Sequence, residues 1–272
     1  MVGFSEKIFV AAGFALAATV VFAATPQEEA FLKIWRLHSQ DPTKHSAIIE
    51  ACQPVMRESS LGEFLPAVRT LAAWHLLASG KQQDAIRIFE GALISDRAGS
   101  PIARSADTMA RRWLTRIDHT AVEKDLATYY ASNVQFPDSL QSIMSQPNPP
   151  PKADRFGTAW VYKAESLKIS KAKNQRYSLH SQTLGTRLTA LKQFPFTSYG
   201  KRLATIVTKR QGNPVLVEFE TVADGAAPLR GTASEGSSIN GIRFLKLSSD
   251  GQFALMIEND SDFWIVATIG GR

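Results

Sequence analysis

The spacing of apolar residues changes once along the chain, and that change limits the folds it can adopt. From Pro26 to about Asp118, apolar residues recur at the spacing of helices that bury one face. Farther on, apolar and polar residues mostly alternate in short runs, which is the period of β-strands. The pattern predicts an α+β protein in which helices come first and sheets follow.

Residues that stop and start helices divide the first region into about five helices. The breaks fall at Asp41-Pro42-Thr43, at Gly80 and at Ala98-Gly99-Ser100-Pro101, where a helix-ending residue precedes a start signal.

Within residues 66–97, small and aromatic residues resemble a tetratricopeptide repeat, in which two antiparallel helices approach closely. The residues are Ala73, Leu76, Gly80, Ala85, Phe89, Ala92, Leu93 and Asp96. The resemblance implies a helical, protein-binding domain over residues 25–118. An ordinary helical hairpin would explain the same alanines and stays the alternative.

The chain begins with a targeting signal. One lysine, Lys7, precedes an uncharged run of seventeen residues from Ile8 to Ala24. Such a run is typical of an export signal, and Val21 and Ala23 place small residues at positions −3 and −1 for cleavage after Ala23. The run is also just long enough for a retained anchor. We therefore assign residues 1–24 to a signal peptide or membrane anchor, and the protein to the periplasm or to the periplasmic face of the inner membrane.

Past Asp118, the pattern predicts one more helix and then two aromatic strands. Helical spacing connects Val122, Leu126, Tyr129 and Tyr130. Phe136-Pro137 and a proline-rich stretch follow, and alternation then marks strands around Trp160 and Tyr177.

This order of residues resembles the globular part of the major pseudopilin of type II secretion, over residues 120–185. The matching positions are Asp154, Phe156, Gly157, Trp160, Tyr162, Tyr177, Leu179 and Ser181. The resemblance implies a helix that ends on a small antiparallel sheet, in a module over residues 119–199. Arg155 and Ala159 stand where the family has prolines. Residues 182–185 hold no carboxylate where the family binds calcium, so we do not expect a calcium site.

The last part, residues 200–272, is predicted to be a small antiparallel β domain, a barrel or a sandwich. The expected strands are Ala204–Thr208, Val215–Phe219, Ile242–Leu247, Phe253–Ile257 and Phe263–Ala267. The turn and strand rhythm of residues 235–247 is similar to that of small β domains in type II secretion clamp proteins and type IV pilus assembly lipoproteins, and unrelated β domains share it.

Positive charge is concentrated in one segment. The whole chain carries +6, whereas residues 150–210 hold thirteen Lys or Arg against Asp154 and Glu165. From this segment we predict a partner-binding surface made of Lys163, Lys168, Lys171, Lys173 and Arg176. An acidic partner protein or an anionic envelope polymer would suit it, and a solvated face is the alternative. No nucleic acid is expected, because an exported protein seldom meets one.

The sequence lacks the usual motifs of catalysis. Cys52 is the single cysteine, so no intramolecular disulfide or thiolate cluster can form. The histidines have no Cys or carboxylate at metal-ligand spacing, and neither a Gly-x-Ser-x-Gly elbow nor a phosphate loop occurs. We predict no catalytic, cofactor or metal site.

Together these patterns predict a non-catalytic envelope protein, an accessory or scaffold of a type II secretion-like or type IV pilus-like apparatus that binds partner proteins. The alternative is an exported hydrolase or binding protein that acts on envelope polymers. A hydrolase would need an acid–base pair in a cleft, for which the sequence offers Asp138, Asp154 and Glu165.

Overall fold

The structure is a computed structural model, and it confirms the α+β class. It describes residues 23–57, 62–94, 99–169, 172–185, 203–210, 214–222, 227–239, 241–258 and 263–269. The predicted export segment therefore lies outside the described residues except for Ala23 and Ala24. Among the helices that are described, none has both the length and the apolar character needed to cross a membrane.

Helix boundaries fall at the predicted breaks around residues 41–43 and 80, and a helix begins at the predicted Pro101. The break after Arg57 is not predicted, and the fourth helix already ends at Glu90. The helices are α1 (Pro26–Gln40), α2 (His45–Arg57), α3 (Leu65–Ala78), α4 (Gln82–Glu90), α5 (Pro101–Asn133) and α6 (Gln141–Met144), and a short 3-10 turn (Gly62–Phe64) precedes α3. Ser100 caps α5 through its hydroxyl, and Pro101 occupies the first helical position. Gly80 turns the chain between α3 and α4 with a φ of +81°, a conformation that glycine adopts without strain.

α5 is a single helix of 33 residues. The boundary predicted between residues 118 and 119 falls in its interior, and the separate helix expected from Val122 is its second half. No glycine or proline occurs from Ile102 to Asn133, so nothing interrupts the ladder of backbone hydrogen bonds. The first half of α5 belongs to the hydrophobic core of the helices, whereas its second half belongs to a separate hydrophobic cluster.

The described strands form two sheets. The first is an antiparallel hairpin of β1 (Trp160–Ile169) and β2 (Ala172–Ser181). The second contains β3 (Leu203–Arg210), β4 (Leu216–Val222), β5 (Leu229–Ser234), β6 (Ser238–Ile239), β7 (Ile242–Leu247), β8 (Phe253–Glu258) and β9 (Trp264–Ile269). Its strand order is β5-β4-β3-β9-β8-β7-β6, and neighbours are antiparallel except for the parallel pair β3 and β9.

The larger sheet curls so that β5 and β6, the two ends of the strand order, lie against each other. A Cβ atom added at Gly231 in β5 would be 2.7 Å from a methyl group of Ile239 in β6, so only glycine fits there. The five predicted strands are present, and Ile242–Leu247 has the predicted ends, whereas the ends of the other four are shifted. β5 and the two-residue β6 are missing from the prediction; β5 has no aromatic residue and only one β-branched residue, Thr232.

Strand β8 is buried on both faces, and this joins the sheet to the helices. Ala254 and Met256 belong to the core inside the curled sheet, whereas Phe253, Leu255 and Ile257 belong to the core of the helices. The helices before residue 118 and the strands after residue 200 therefore share a continuous hydrophobic core.

Polar contacts of two side chains, Trp264 and Glu28, also connect the larger sheet to the helices. Trp264 Nε1 in β9 donates a buried hydrogen bond to Thr70 Oγ1 in α3 at 2.9 Å. Glu28 in α1 accepts from the backbone N of Ser249 at 2.8 Å and from its hydroxyl at 3.0 Å. The other carboxylate oxygen of Glu28 accepts from the backbone N of Thr25 and closes the capping box of α1. One buried carboxylate thus holds the start of the first helix against the turn between β7 and β8.

A chain of three histidines lies between the first three helices. His75 in α3 is fully buried, with Nε2 3.1 Å from His38 Nδ1 and Nδ1 2.9 Å from His45 Nδ1. A neutral imidazole has one donor and one acceptor, so three neutral rings satisfy both contacts. Burial, with a smaller contribution from the neighbouring histidines, lowers the pKa of His38 to about 4 and that of His75 to about 2.

Acidification is expected to lower the free energy of unfolding. In the unfolded chain, His38 and His75 bind protons near the ordinary histidine pKa of 6.5, whereas in the folded chain they do so only at lower pH. The contribution of these residues to stability is therefore complete above about pH 6.5. It is lost as the pH falls toward about 4 for His38 and toward about 2 for His75, and the loss is about 2 kcal/mol for each residue at about pH 5.

Urea denaturation between about pH 7.5 and pH 5 measures this loss. The double variant His38→Gln, His75→Gln is expected to flatten the pH dependence, and the same change at His180 in the hairpin serves as the control. A double variant with the wild-type slope would contradict the prediction.

Glu28→Ala is expected to lower the free energy of unfolding by about 2 kcal/mol, because it removes charge-assisted hydrogen bonds from Thr25 and Ser249. Glu29→Ala changes an exposed carboxylate in the same helical turn and is expected to cost less than about 0.5 kcal/mol. Urea denaturation compares the two variants. Equal losses would mean that the contact with Ser249 contributes no measurable stability.

Candidate functional site

The β1–β2 hairpin packs its inner face against the second half of α5. Together they enclose a third hydrophobic cluster, separate from the cores described above. Its buried members are Val122, Leu126, Ile143, Met144 and Trp160, and half-buried residues around it are Tyr129, Phe136, Leu140, Tyr162, Tyr177 and Leu179. The helix, the proline-rich loop and the hairpin therefore form one packed unit, which we call the hairpin module (residues 119–185).

The aromatic residues of the module also fix its loops. Trp160 Nε1 donates to the carbonyl of Pro151, and the Tyr162 hydroxyl donates to the carbonyl of Pro137, both at 2.7 Å. Tyr177 packs edge to face on Phe136, with ring centroids 4.7 Å apart. Burial raises the pKa of Tyr162 to about 12, so this phenol is a donor at neutral pH.

Asp154 organises the loop that leads into β1. One of its oxygens accepts from the backbone N of Phe156 and of Thr158 at 2.9 and 3.0 Å, and the other accepts from the Ser181 hydroxyl at 2.5 Å. The tight turn requires a φ of +85° at Gly157. Asp154 therefore links the beginning of β1 to the end of β2, and both of its oxygens are occupied.

Arg155 connects the hairpin module to the helices before it. Its guanidinium donates to both oxygens of Asp118 at 2.5 and 3.2 Å and to Glu90 at 3.2 Å. Its backbone N donates to Thr115 Oγ1, and its carbonyl accepts from Arg111. Burial raises the pKa of Asp118 although Arg155 acts in the opposite direction, so the carboxyl depends on this partner to stay charged.

The outer face of the hairpin is exposed and carries two of the predicted partner-binding residues. Lys163 and Arg176 are both exposed, as is the apolar side chain of Val161. Glu165 lies opposite Arg176 in the strand register, and its carboxylate is 3.6 Å from Lys163 Nζ. Exposed pairs of this kind contribute little to stability, which leaves both cations available to a partner.

The other predicted partner-binding residues are in the distal part of the hairpin. The register places Lys168 directly opposite Lys173, and Lys171 lies outside the described residues. These two positions alternate along the strands with those of Lys163 and Arg176, so the register does not put the four residues on one face of the hairpin.

The three acids considered for a hydrolase have different surroundings. Asp138 and Glu165 are exposed, and Glu165 is close to Lys163. Asp154 is buried, and its oxygens are used within the loop. These contacts explain Asp154 as a structural residue.

The proximity of His38, His45 and His75 is not predicted by the sequence analysis. His75 is 30 residues from His45, and no motif connects them. His75 turns a different ring nitrogen toward each neighbour, so the three rings do not converge on one point. Within the described ranges, no group of three or more His, Cys, Asp or Glu side chains could hold a metal ion.

Arg155→Ala is expected to lower the free energy of unfolding by about 2 kcal/mol, because Asp118 stays largely buried without its counter-charge. Arg176→Ala, which removes an exposed arginine from the outer face of the hairpin, is the control and is expected to change stability by less than about 0.5 kcal/mol. Urea denaturation measures both, and a neutral Arg155→Ala would contradict the assigned role.

Comparison of the chain with protein-family models, with curated proteins and with solved structures finds no match. The contacts of the hairpin module and of the shared core are therefore the basis for assigning a function.

Proposed function

We propose that the protein is a non-catalytic, exported envelope protein that binds other proteins as an accessory or scaffold of a type II secretion-like or type IV pilus-like apparatus. The observation that carries the proposal is the arrangement of the hairpin. Its inner face is held against α5, while its outer face presents Lys163 and Arg176 to solvent.

The geometry of the hairpin suits an acidic protein surface. No other described strand pairs with the outer edges of this two-stranded sheet, and charged side chains on such a sheet keep it soluble until a partner binds. The exposed Val161 lies among the charged residues and adds an apolar contact. A surface that combines these features is expected to bind quickly and with strong salt dependence.

The resemblance to a pseudopilin gives the proposal its setting. The residues that carry the resemblance make the contacts on which the module depends: Asp154 and Gly157 shape the loop, and Trp160, Tyr162 and Tyr177 pack the sheet on α5. Arg155, where the family has proline, forms the connection to the helices. We interpret the hairpin module as a pseudopilin-like globular module that is joined to a helical region.

The helical region fits a role in protein binding. Ala73, Ala85 and Phe89 are completely buried where α3 packs beside α4, as a tetratricopeptide-like pair requires. Export remains a prediction from residues 1–24. The hydrolase alternative is less favoured, because Asp154, the buried acid among its three candidates, is already engaged in the loop.

Charge reversal on the outer face tests the proposal. The full-length variant Lys163→Glu, Arg176→Glu is expected to lose capture of its partner from envelope extracts by tenfold or more, since each reversal turns an attraction into a repulsion. In the wild type, capture is expected to weaken between about 0.05 and 0.5 M NaCl. Mass spectrometry identifies the captured proteins.

Lys44→Glu, Lys81→Glu is the matched control, because it makes the same change in charge at two exposed lysines of the helical region. The control is expected to capture the partner as the wild type does. Equal capture by the hairpin variant and the control would refute the hairpin as the binding surface. Capture of proteins unrelated to secretion or pili would refute the proposed setting.

A further inference from the structure

A polar pocket of about 270 Å³ lies between α5 and the edge of the curled sheet formed by β7 and β8. It is distant in sequence from the hairpin, and the proposed function does not use it. Pockets between packed regions of a protein are common sites for small ligands, and this volume lies just below the usual range for drug-sized molecules.

One wall of the pocket is a single stripe of α5. Ser105, Thr108, Met109 and Arg112 line it. They follow one another at positions i, i+3, i+4 and i+7, which place all four on one face of a helix. The wall therefore belongs to a long rigid helix and does not depend on a loop.

The opposite wall comes from two paired strands. Arg243 in β7 and Ile257 in β8 are register partners, and Glu258 follows Ile257. Arg243 is exposed at the rim, where its Nε donates to the Ser238 hydroxyl at 3.2 Å. Each wall of the pocket thus contributes one arginine, Arg112 on the helix and Arg243 on the sheet.

The hydroxyl of Ser105 also favours a ligand at this pocket. Its side chain is only 5% exposed, and its hydroxyl has no hydrogen-bond partner among the described residues. A hydroxyl buried without a partner costs about 1–3 kcal/mol, so such groups are normally satisfied by water or by a ligand. Ser105 is one of the residues that line this pocket.

We propose that this pocket binds a small ligand that carries an oxyanion, either a carboxylate or a phosphate group. The oxyanion lies between Arg112 and Arg243, and it accepts a hydrogen bond from the Ser105 hydroxyl. Met109 and Ile257 leave room for a short apolar part.

Isothermal titration calorimetry on the full-length protein tests the proposal with two probes, inorganic phosphate and glycolate. At least one is expected to bind at a single site per chain, and the preferred probe distinguishes a phosphate-bearing ligand from a carboxylate-bearing one. Arg243→Gln is expected to weaken binding by about tenfold or more, the usual effect of losing a charged hydrogen bond.

Ser105→Ala separates binding from folding. It removes a hydroxyl without a partner, so the free protein is expected to keep its stability while the affinity for the probe falls about fivefold. Arg230→Gln is the matched control, since it removes another exposed arginine that hydrogen-bonds on the same sheet, and it is expected to bind the probe as the wild type does.

Two results would overturn the proposal. One is the absence of heat from either probe up to about 20 mM, which excludes even a weak site. The other is equal affinity in Arg243→Gln and Arg230→Gln, which would place the bound anion elsewhere.

Discussion

Strand β8 and helix α3 are the two elements that solvent hardly reaches, and the rest of the protein is arranged around them. Five consecutive residues of β8, Phe253 to Ile257, are buried, and so are most residues of α3 from Ala67 to Leu77. An element that is apolar on all sides needs cover on all sides. The helices provide it on one face of β8 and the curled sheet on the other. Because each buried large apolar side chain contributes about 1.5–3 kcal/mol, neither cover is expected to be stable alone.

Several buried polar residues lie where separate segments of the protein meet. Glu28 ties the start of α1 to the turn before β8, and Asp118 with Arg155 ties the hairpin module to the helices. The histidine chain lies where α1, α2 and α3 meet. Hydrophobic burial alone tolerates small shifts between packed surfaces, whereas hydrogen bonds between buried groups require one arrangement. These contacts therefore specify how the segments fit together.

Local features of the fold were predictable from the sequence, and its long-range contacts were not. Stop residues such as Gly80 and the Ser100-Pro101 start act on their neighbours, so they locate helix ends reliably. The change in period near Asp118 was less informative, because packing partners change there while α5 continues through it. The continuity of α5 depends on the absence of glycine and proline, which is a stronger local signal than the change in period.

In the candidate site, too, the local features were predictable and the long-range contacts were not. Lys163 and Arg176 are exposed on one face because strand residues alternate, which periodicity predicts. The position of Arg155 follows from its contacts with Asp118 and Glu90, which are 37 and 65 residues away, and no spacing rule reaches that far. The parallel pairing of β3 with β9 depends likewise on the path of the whole chain.

The length of α5 has a mechanical consequence. At 1.5 Å per residue, its 33 residues extend about 50 Å, with the helical core at one end and the hairpin at the other. Because neither glycine nor proline interrupts the helix after Pro101, a force applied to the hairpin is transmitted along the helix axis to the rest of the protein. A partner that pulls or pushes on the hairpin module would therefore move the whole molecule, whereas a flexible linker would not transmit the force.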